Sequence, residues 1–176
     1  MNLIENKERI FSQVAQAMET ANRRDQVNVI AVTKYVGIDQ SKALVDTGVR
    51  HIGENRVDKF LEKYQALKDE GLTWHLIGSL QRRKVKEVIN FVDYFHALDS
   101  MKLAQEIQKR ASHPIKCFIQ VNISGEESKH GFAPEELDAL LPEMESLDNL
   151  QIVGLMSCKP YLQQLTNFKK NYKRNS

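Results

Sequence analysis

A parallel α/β fold, most simply a TIM-type (β/α)8 barrel, is what this sequence predicts, and three observations carry it. Short runs rich in β-branched residues alternate with amphipathic helical stretches along the whole chain. Strict alternation of that kind implies parallel strands joined by right-handed helical crossovers. No G-x-G-x-x-G follows the first strand, which counts against a doubly wound dinucleotide-binding sheet, and the short repeats suit a barrel better. A barrel needs eight strands and about 250 residues. The 176 residues here supply about six β/α units after a leading helix.

The elements are predicted in order. Residues 3–21 place Leu3, Ile10, Phe11, Val14 and Met18 on one helical face, and Asn2 with Glu5 has the pattern of a capping box. A buried strand is expected over 27–34, then a helix over 39–47 that Gly48 ends as the residue after the cap. A strand over 49–53 precedes a helix with Val57, Phe60, Leu61, Tyr64 and Leu67 on one face. A strand over 73–77 precedes a helix with Leu80, Val85, Val88 and Ile89 inward. A strand over 92–98 leads to Asp99-Ser100, read as a helix cap, and a helix with Leu103, Ala104, Ile107 and Ala111. A strand over 115–123 is followed by a helix that Pro134 opens and Pro142 is expected to kink or split, with Leu137, Leu140, Leu141 and Met144 inward. The last strand is 150–156.

Composition excludes several classes. Apolar content of 41%, charged content of 27% and a net charge of +2 are those of an ordinary globular chain, without a bias toward nucleic acid or membranes. No apolar run approaches the ~20 residues of a membrane span, and no signal-peptide core opens the chain. Cys117 and Cys158 form no disulfide framework and have no metal-ligand spacing, so a reduced, cytoplasmic protein is expected. Residues 157–176 carry five basic groups and no acid, leaving 20 basic and 23 acidic residues before them. The expected organisation is therefore a domain over 1–156 and a basic tail over 157–176 that is foreign to it.

The candidate chemistry centres on Lys34, at the expected carboxyl end of the first strand. Parallel α/β folds place their chemistry at such ends. Partial burial there favours a neutral amine, and a neutral amine forms a Schiff base with an aldehyde. The plain alternative is a lysine that snorkels into water.

The other strand ends form a recognisable set. They are Ala31-Val32-Thr33-Lys34, His51-Ile52-Gly53-Glu54-Asn55, Trp74-His75-Leu76-Ile77-Gly78-Ser79-Leu80-Gln81 with Lys84, and His96-Ala97-Leu98-Asp99. Gln120-Val121-Asn122-Ile123-Ser124 with Lys129-His130-Gly131-Phe132, and Gly154-Leu155-Met156, complete it. On these motifs the chain resembles the YggS/PROSC family of pyridoxal phosphate (PLP) homeostasis proteins, from the first helix to about Met156. The resemblance implies a barrel of the alanine racemase N-terminal type, with PLP held as a Schiff base on Lys34. It implies that Asn55 lines the cofactor and that His75 and Met156 stand at the barrel mouth; Glu126-Glu127-Ser128-Lys129 reads as a polar loop, with a second, weaker contact at Lys129 as the alternative. It implies a PLP carrier and buffer with no established reaction, mostly monomeric, whose recipients are PLP-dependent apoenzymes.

The sequence departs from the family after Gly154-Leu155-Met156. The Ser-x-Gly-x-Ser and Arg-x-Gly segments, which the resemblance assigns to the last two strands and the phosphate site, have no counterpart. A C-terminally truncated member is expected, with unpaired strand edges, a tendency to self-associate and weakened PLP retention. Loss of about three hydrogen bonds to a charged group, at ~1.5–3 kcal/mol each, corresponds to roughly 10³ to 10⁶ in affinity.

The rival reading is a PLP- or Schiff-base-dependent barrel enzyme of the racemase or aldolase type. A racemase of this fold needs a second acid/base from a separate domain, which this chain lacks, so no enzymatic activity is expected. A metal site at His51, His75 and His96 lacks ligand spacing, and these histidines read as hydrogen-bonded core residues. Arg82-Arg83-Lys84-Val85-Lys86 reads as a solvated helix face rather than a nucleic-acid site. Trp74 and Cys117 read as core.

Overall fold

Strands and helices alternate throughout a computed structural model that describes residues 2–126 and 130–157. Lys129, Cys158 and the rest of the basic tail lie outside the described residues. The chain divides into two units, one running to Gly78 with Phe91–Asp93, the other comprising Ser79–Asn90 and the residues from Tyr94 on.

In the first unit, α1 (Leu3–Thr20) begins with the expected capping box. Glu5 donates its backbone N–H to Asn2 Oδ1 at 2.9 Å, and Asn2 N–H returns a bond to Glu5 Oε2 at 3.2 Å. Its apolar face is not buried: Leu3, Ile10 and Phe11 are exposed, and Val14 and Met18 are half-buried. β1 (Ala31–Val32), β2 (His51–Glu54) and β3 (Thr73–Leu76) lie side by side and parallel, with Val32 opposite Gly53 and Gly53 opposite His75. Helices α2 (Ile38–Asp46) and α3 (Val57–Leu67) connect them. Gly48 takes φ +97° just past the end of α2, the left-handed position that favours glycine.

Alternation along β2 and β3 sends Ile52, Glu54, Trp74 and Leu76 to one face. There Trp74 meets Phe60 and Tyr64 of α3 at ring-centroid distances of 5.5 and 5.3 Å. Full burial of side chains such as Phe60, Ile52 and Leu76 contributes about 1.5–3 kcal/mol each. Asp93 fastens the end of this layer, accepting from Trp74 N–H at 2.7 Å.

The second unit holds α4 (Arg82–Val88), β4 (Tyr94–Leu98), α5 (Met101–Arg110), β5 (Ile115–Gln120), α6 (Leu137–Glu145) and β6 (Leu150–Met156). β4, β5 and β6 are parallel neighbours in that order. Cys117 pairs with Ile152 and Phe118 with Gly154, so Val153 is an extra residue that bulges β6. Val85, Val88, Leu103, Ala104 and Ile107 point inward as expected, while Arg82, Arg83 and Lys86 remain in solvent.

Three expectations are corrected. The buried strand over 27–34 is only the two residues Ala31–Val32. Val27 and Asn28 are exposed, and β1 has β2 as its strand neighbour among the described residues. The strand expected to reach 123 stops at Gln120, where Val121 instead bridges to Phe132. Pro142 neither splits nor ends α6. Pro142 and Asp138, whose carbonyl loses its helical donor, are both exposed, so water takes that bond.

Candidate functional site

Lys34 follows β1 by two residues and stands in a turn rather than in the strand. Thr33 C=O accepts the Val36 N–H at 3.1 Å, which makes Lys34 and Tyr35 the two central residues of a β-turn. Both side chains are exposed, and Lys34 Nζ lies 5.0 Å from the centre of the Tyr35 ring. The partial burial expected of Lys34 is therefore absent, because the short β1 ends before reaching it. Among the described residues no carboxylate lies within ion-pair distance of its amine.

What lies beneath the turn is buried and charged. Thr33 is 1% exposed, Glu54 0% and Lys63 2%. Thr33 Oγ1 donates to Glu54 Oε1 at 2.7 Å, and the Lys63 ammonium is ion-paired with the same oxygen. Lys63 Nζ also donates to Thr33 C=O at 2.6 Å. Thus the carbonyl that closes the Lys34 turn is held by a buried cation. Among the described residues Glu54 Oε2 has no hydrogen-bond partner.

The sequence reading missed this cluster. Lys63 lies three residues after Phe60 and one before Tyr64, inside the apolar face of α3, and was the signal available. A lysine at such a position is buried only when paired.

Asn55 follows β2 and is exposed. Gly78, after β3, packs against the Asn55 backbone: a Cβ at Gly78 would lie 2.1 Å from Asn55 O. Only glycine permits that approach.

His75 lies on the β3 face opposite Trp74 and is buried. Its Nε2 is 3.0 Å from His51 Nδ1, so one ring donates to the other and both cannot carry a proton at that contact. His51 and His75 thus form a hydrogen-bonded pair. Among the described residues no group of three or more His, Cys, Asp or Glu side chains could hold a metal ion.

Met156, in the second unit, ends β6 half-buried, and its C=O accepts from Val121 N–H at 2.8 Å. On that unit the His96 ring lies 4.7 Å from the Phe118 ring, and burial lowers the His96 pKa. Burial pushes the Cys117 thiol up to about 12. Asp99 Oδ2 is 3.6 Å from His130 Nδ1. A recess of about 410 Å³ along α1, lined by Gln13, Gln16, Ala17, Thr20 and Ala21, includes none of the strand-end residues.

Comparison with known proteins places this arrangement. Residues 6–174 match the family described as alanine racemase, N-terminal domain. A pyridoxal phosphate homeostasis protein of Aquifex aeolicus is 40% identical over 167 residues, covering 93% of this chain and 73% of that protein. This chain belongs to the pyridoxal phosphate homeostasis protein family. Another member, from Pseudomonas aeruginosa, is 33% identical over 88% of this chain and 69% of its own length. The structure of PipY from Synechococcus elongatus with PLP bound superposes with a TM-score of 0.80 at 29% identity, covering 98% of this chain and 78% of that one. Alanine racemase of Clostridium difficile, at 16% identity and a TM-score of 0.66 over 85% of this chain and 42% of its own, shares the fold. The family fold is thus the alanine racemase N-terminal type that the sequence predicted. The family's curated members are named for homeostasis rather than for a reaction. Among the described residues no helix is long and apolar enough to cross a membrane.

Proposed function

We propose that this chain binds PLP and serves its homeostasis, with Lys34 holding the cofactor covalently as a Schiff base. The observation that carries the reading is Lys34 itself: an exposed primary amine, without an acidic partner among the described residues, in a turn pinned at the strand end of a family member. An amine of that kind fits the aldehyde of PLP, which when bound supplies an electrophilic carbon and an electron-withdrawing ring. Asn55 is assigned to the cofactor on the family resemblance. The same resemblance assigns His75, and separately Met156, to cofactor binding. Residues 1–156 carry the function in this reading.

The protein acts as a carrier and buffer in the cytoplasm, without catalysis of its own, and PLP-dependent apoenzymes receive the cofactor. The names of its relatives and PLP-bound PipY support this role.

The test is an absorption spectrum after adding PLP and desalting, beside Lys34→Ala, with borohydride trapping and peptide mapping. The expected result is an imine band that desalting weakens, as the missing phosphate-binding segments imply, and that is absent in Lys34→Ala. Because Lys34 is exposed, that variant should change stability by no more than about 0.5 kcal/mol. An adduct spread over many surface lysines, unchanged by Lys34→Ala, would sink the proposal.

A further inference from the structure

We infer that Glu54 and Lys63 are positioning residues: their buried ion pair fastens the turn that presents Lys34. The inference rests on the proposed role of Lys34 and adds what directs it. Thr33 C=O accepts two donors, Val36 N–H at 3.1 Å and Lys63 Nζ at 2.6 Å. The first bond closes the turn around Lys34 and Tyr35. The second ties that turn to α3. Thr33 is fixed at its other polar atoms as well, its N–H donating to Gly53 C=O at 3.0 Å and its Oγ1 to Glu54 at 2.7 Å. The backbone leading into Lys34 is therefore held at three points, although Lys34 itself is held by none of them.

Stability alone is a poor reason for such an arrangement. A buried ion pair is often no better than well-packed apolar residues of the same volume, because both charges lose their hydration. Here the balance is worse, since Glu54 Oε2 is buried with no partner among the described residues. Two apolar side chains would fill the space between α3 and β2 without an orphaned oxygen. They could not hold the Thr33 carbonyl. What the pair supplies that a hydrocarbon cannot is a fixed donor aimed at the peptide joining Thr33 to Lys34. An exposed lysine has free rotamers, and fixing the backbone beneath it reduces the disorder that binding must remove.

The test uses the double variant Glu54→Gln/Lys63→Met, which removes both charges and leaves neither buried alone, on the full chain. Two readouts are taken well below the melting transition: amide hydrogen exchange at Val36, and the share of borohydride-trapped PLP adduct found on Lys34. The inference expects Val36 exchange to quicken about tenfold or more, as for loss of a bond to a charged group. Exchange within β3 should stay unchanged and the Lys34 share of adduct should fall several-fold, while the melt stays cooperative. Thr33→Ser, which keeps both the hydroxyl and the carbonyl, should match the wild type in both readouts. Unchanged Val36 exchange in the double variant overturns the inference, as does quicker exchange with an unchanged adduct share. Should the double variant fail to fold, Thr33→Val, which removes one of the three ties, is read the same way against Thr33→Ser. Exchange needs no PLP, so a wild type without adduct on Lys34 refutes the proposed function, while the exchange result still decides whether the pair holds the turn.

Discussion

β2 and β5 each lie between two parallel neighbours in their own units, yet they bury opposite chemistry. β5 turns Ile115, Cys117 and Ile119 inward, all fully buried and all uncharged at neutral pH. β2 buries Ile52 and then Glu54, whose carboxylate is met by Lys63 and Thr33. The β5 arrangement is what hydrophobic burial alone selects. The β2 arrangement adds desolvation cost and an orphaned oxygen, and it occurs directly beneath the turn that carries Lys34. The difference teaches that the buried charge serves a need other than core packing, consistent with its hold on the Thr33 carbonyl.

The largest effect that would break or sharpen this contrast is expected from Lys63→Met. It leaves Glu54 buried without its cation, and loss of about 3–5 kcal/mol is expected in denaturant unfolding. Ile119→Val, on the equivalent strand of the other unit, should cost about 0.5–1.5 kcal/mol. Equal costs for the two would erase the contrast.

Glycine substitutions give the next largest difference. At Gly78 a Cβ meets the Asn55 carbonyl oxygen at 2.1 Å, a backbone atom that cannot yield, whereas at Gly154 it meets Phe118 ring carbons at 3.2 Å. Gly78→Ala should cost about 1–3 kcal/mol and displace Asn55, reducing PLP retention. Gly154→Ala should fall near zero, because a small shift of the ring is offset by the stiffer unfolded chain. Thermal melts of the two variants, with PLP retention measured alongside, check the pair.

The smallest effect concerns pH. Burial lowers the His96 pKa below its ordinary 6.5, so the unfolded chain binds that proton more readily than the folded one. Stability from this source is complete above the unfolded value and is lost as pH falls through it. Melting temperatures measured from neutral pH down to mildly acidic pH should fall less steeply in His96→Gln than in the wild type. Parallel curves would remove His96 from the account.

Much of this was legible in the chain. The alternation of elements, the capping box at Asn2 and Glu5, the turn at Gly48 and the inward faces of α4 and α5 follow from periodicity and local backbone preference, which neighbouring residues settle among themselves. The motif around Lys34 was read with the wrong burial. The apolar run before it suggested a buried strand end, but strand length depends on pairing with residues distant in sequence, and β1 pairs for only two residues. Pro142 does not split α6, since its cost depends on whether water reaches the freed carbonyl.

The sequence by itself determined the order of strands and helices and the parallel α/β class, because these depend on contacts within a few residues. Only the tertiary structure decided that Lys34 stands in an open turn and that Lys63, twenty-nine positions on, reaches back to the Thr33 carbonyl beneath it. A charge inside an apolar helix face has no meaning until the fold supplies its partner, because the cost of burying it is set wholly by what it meets there.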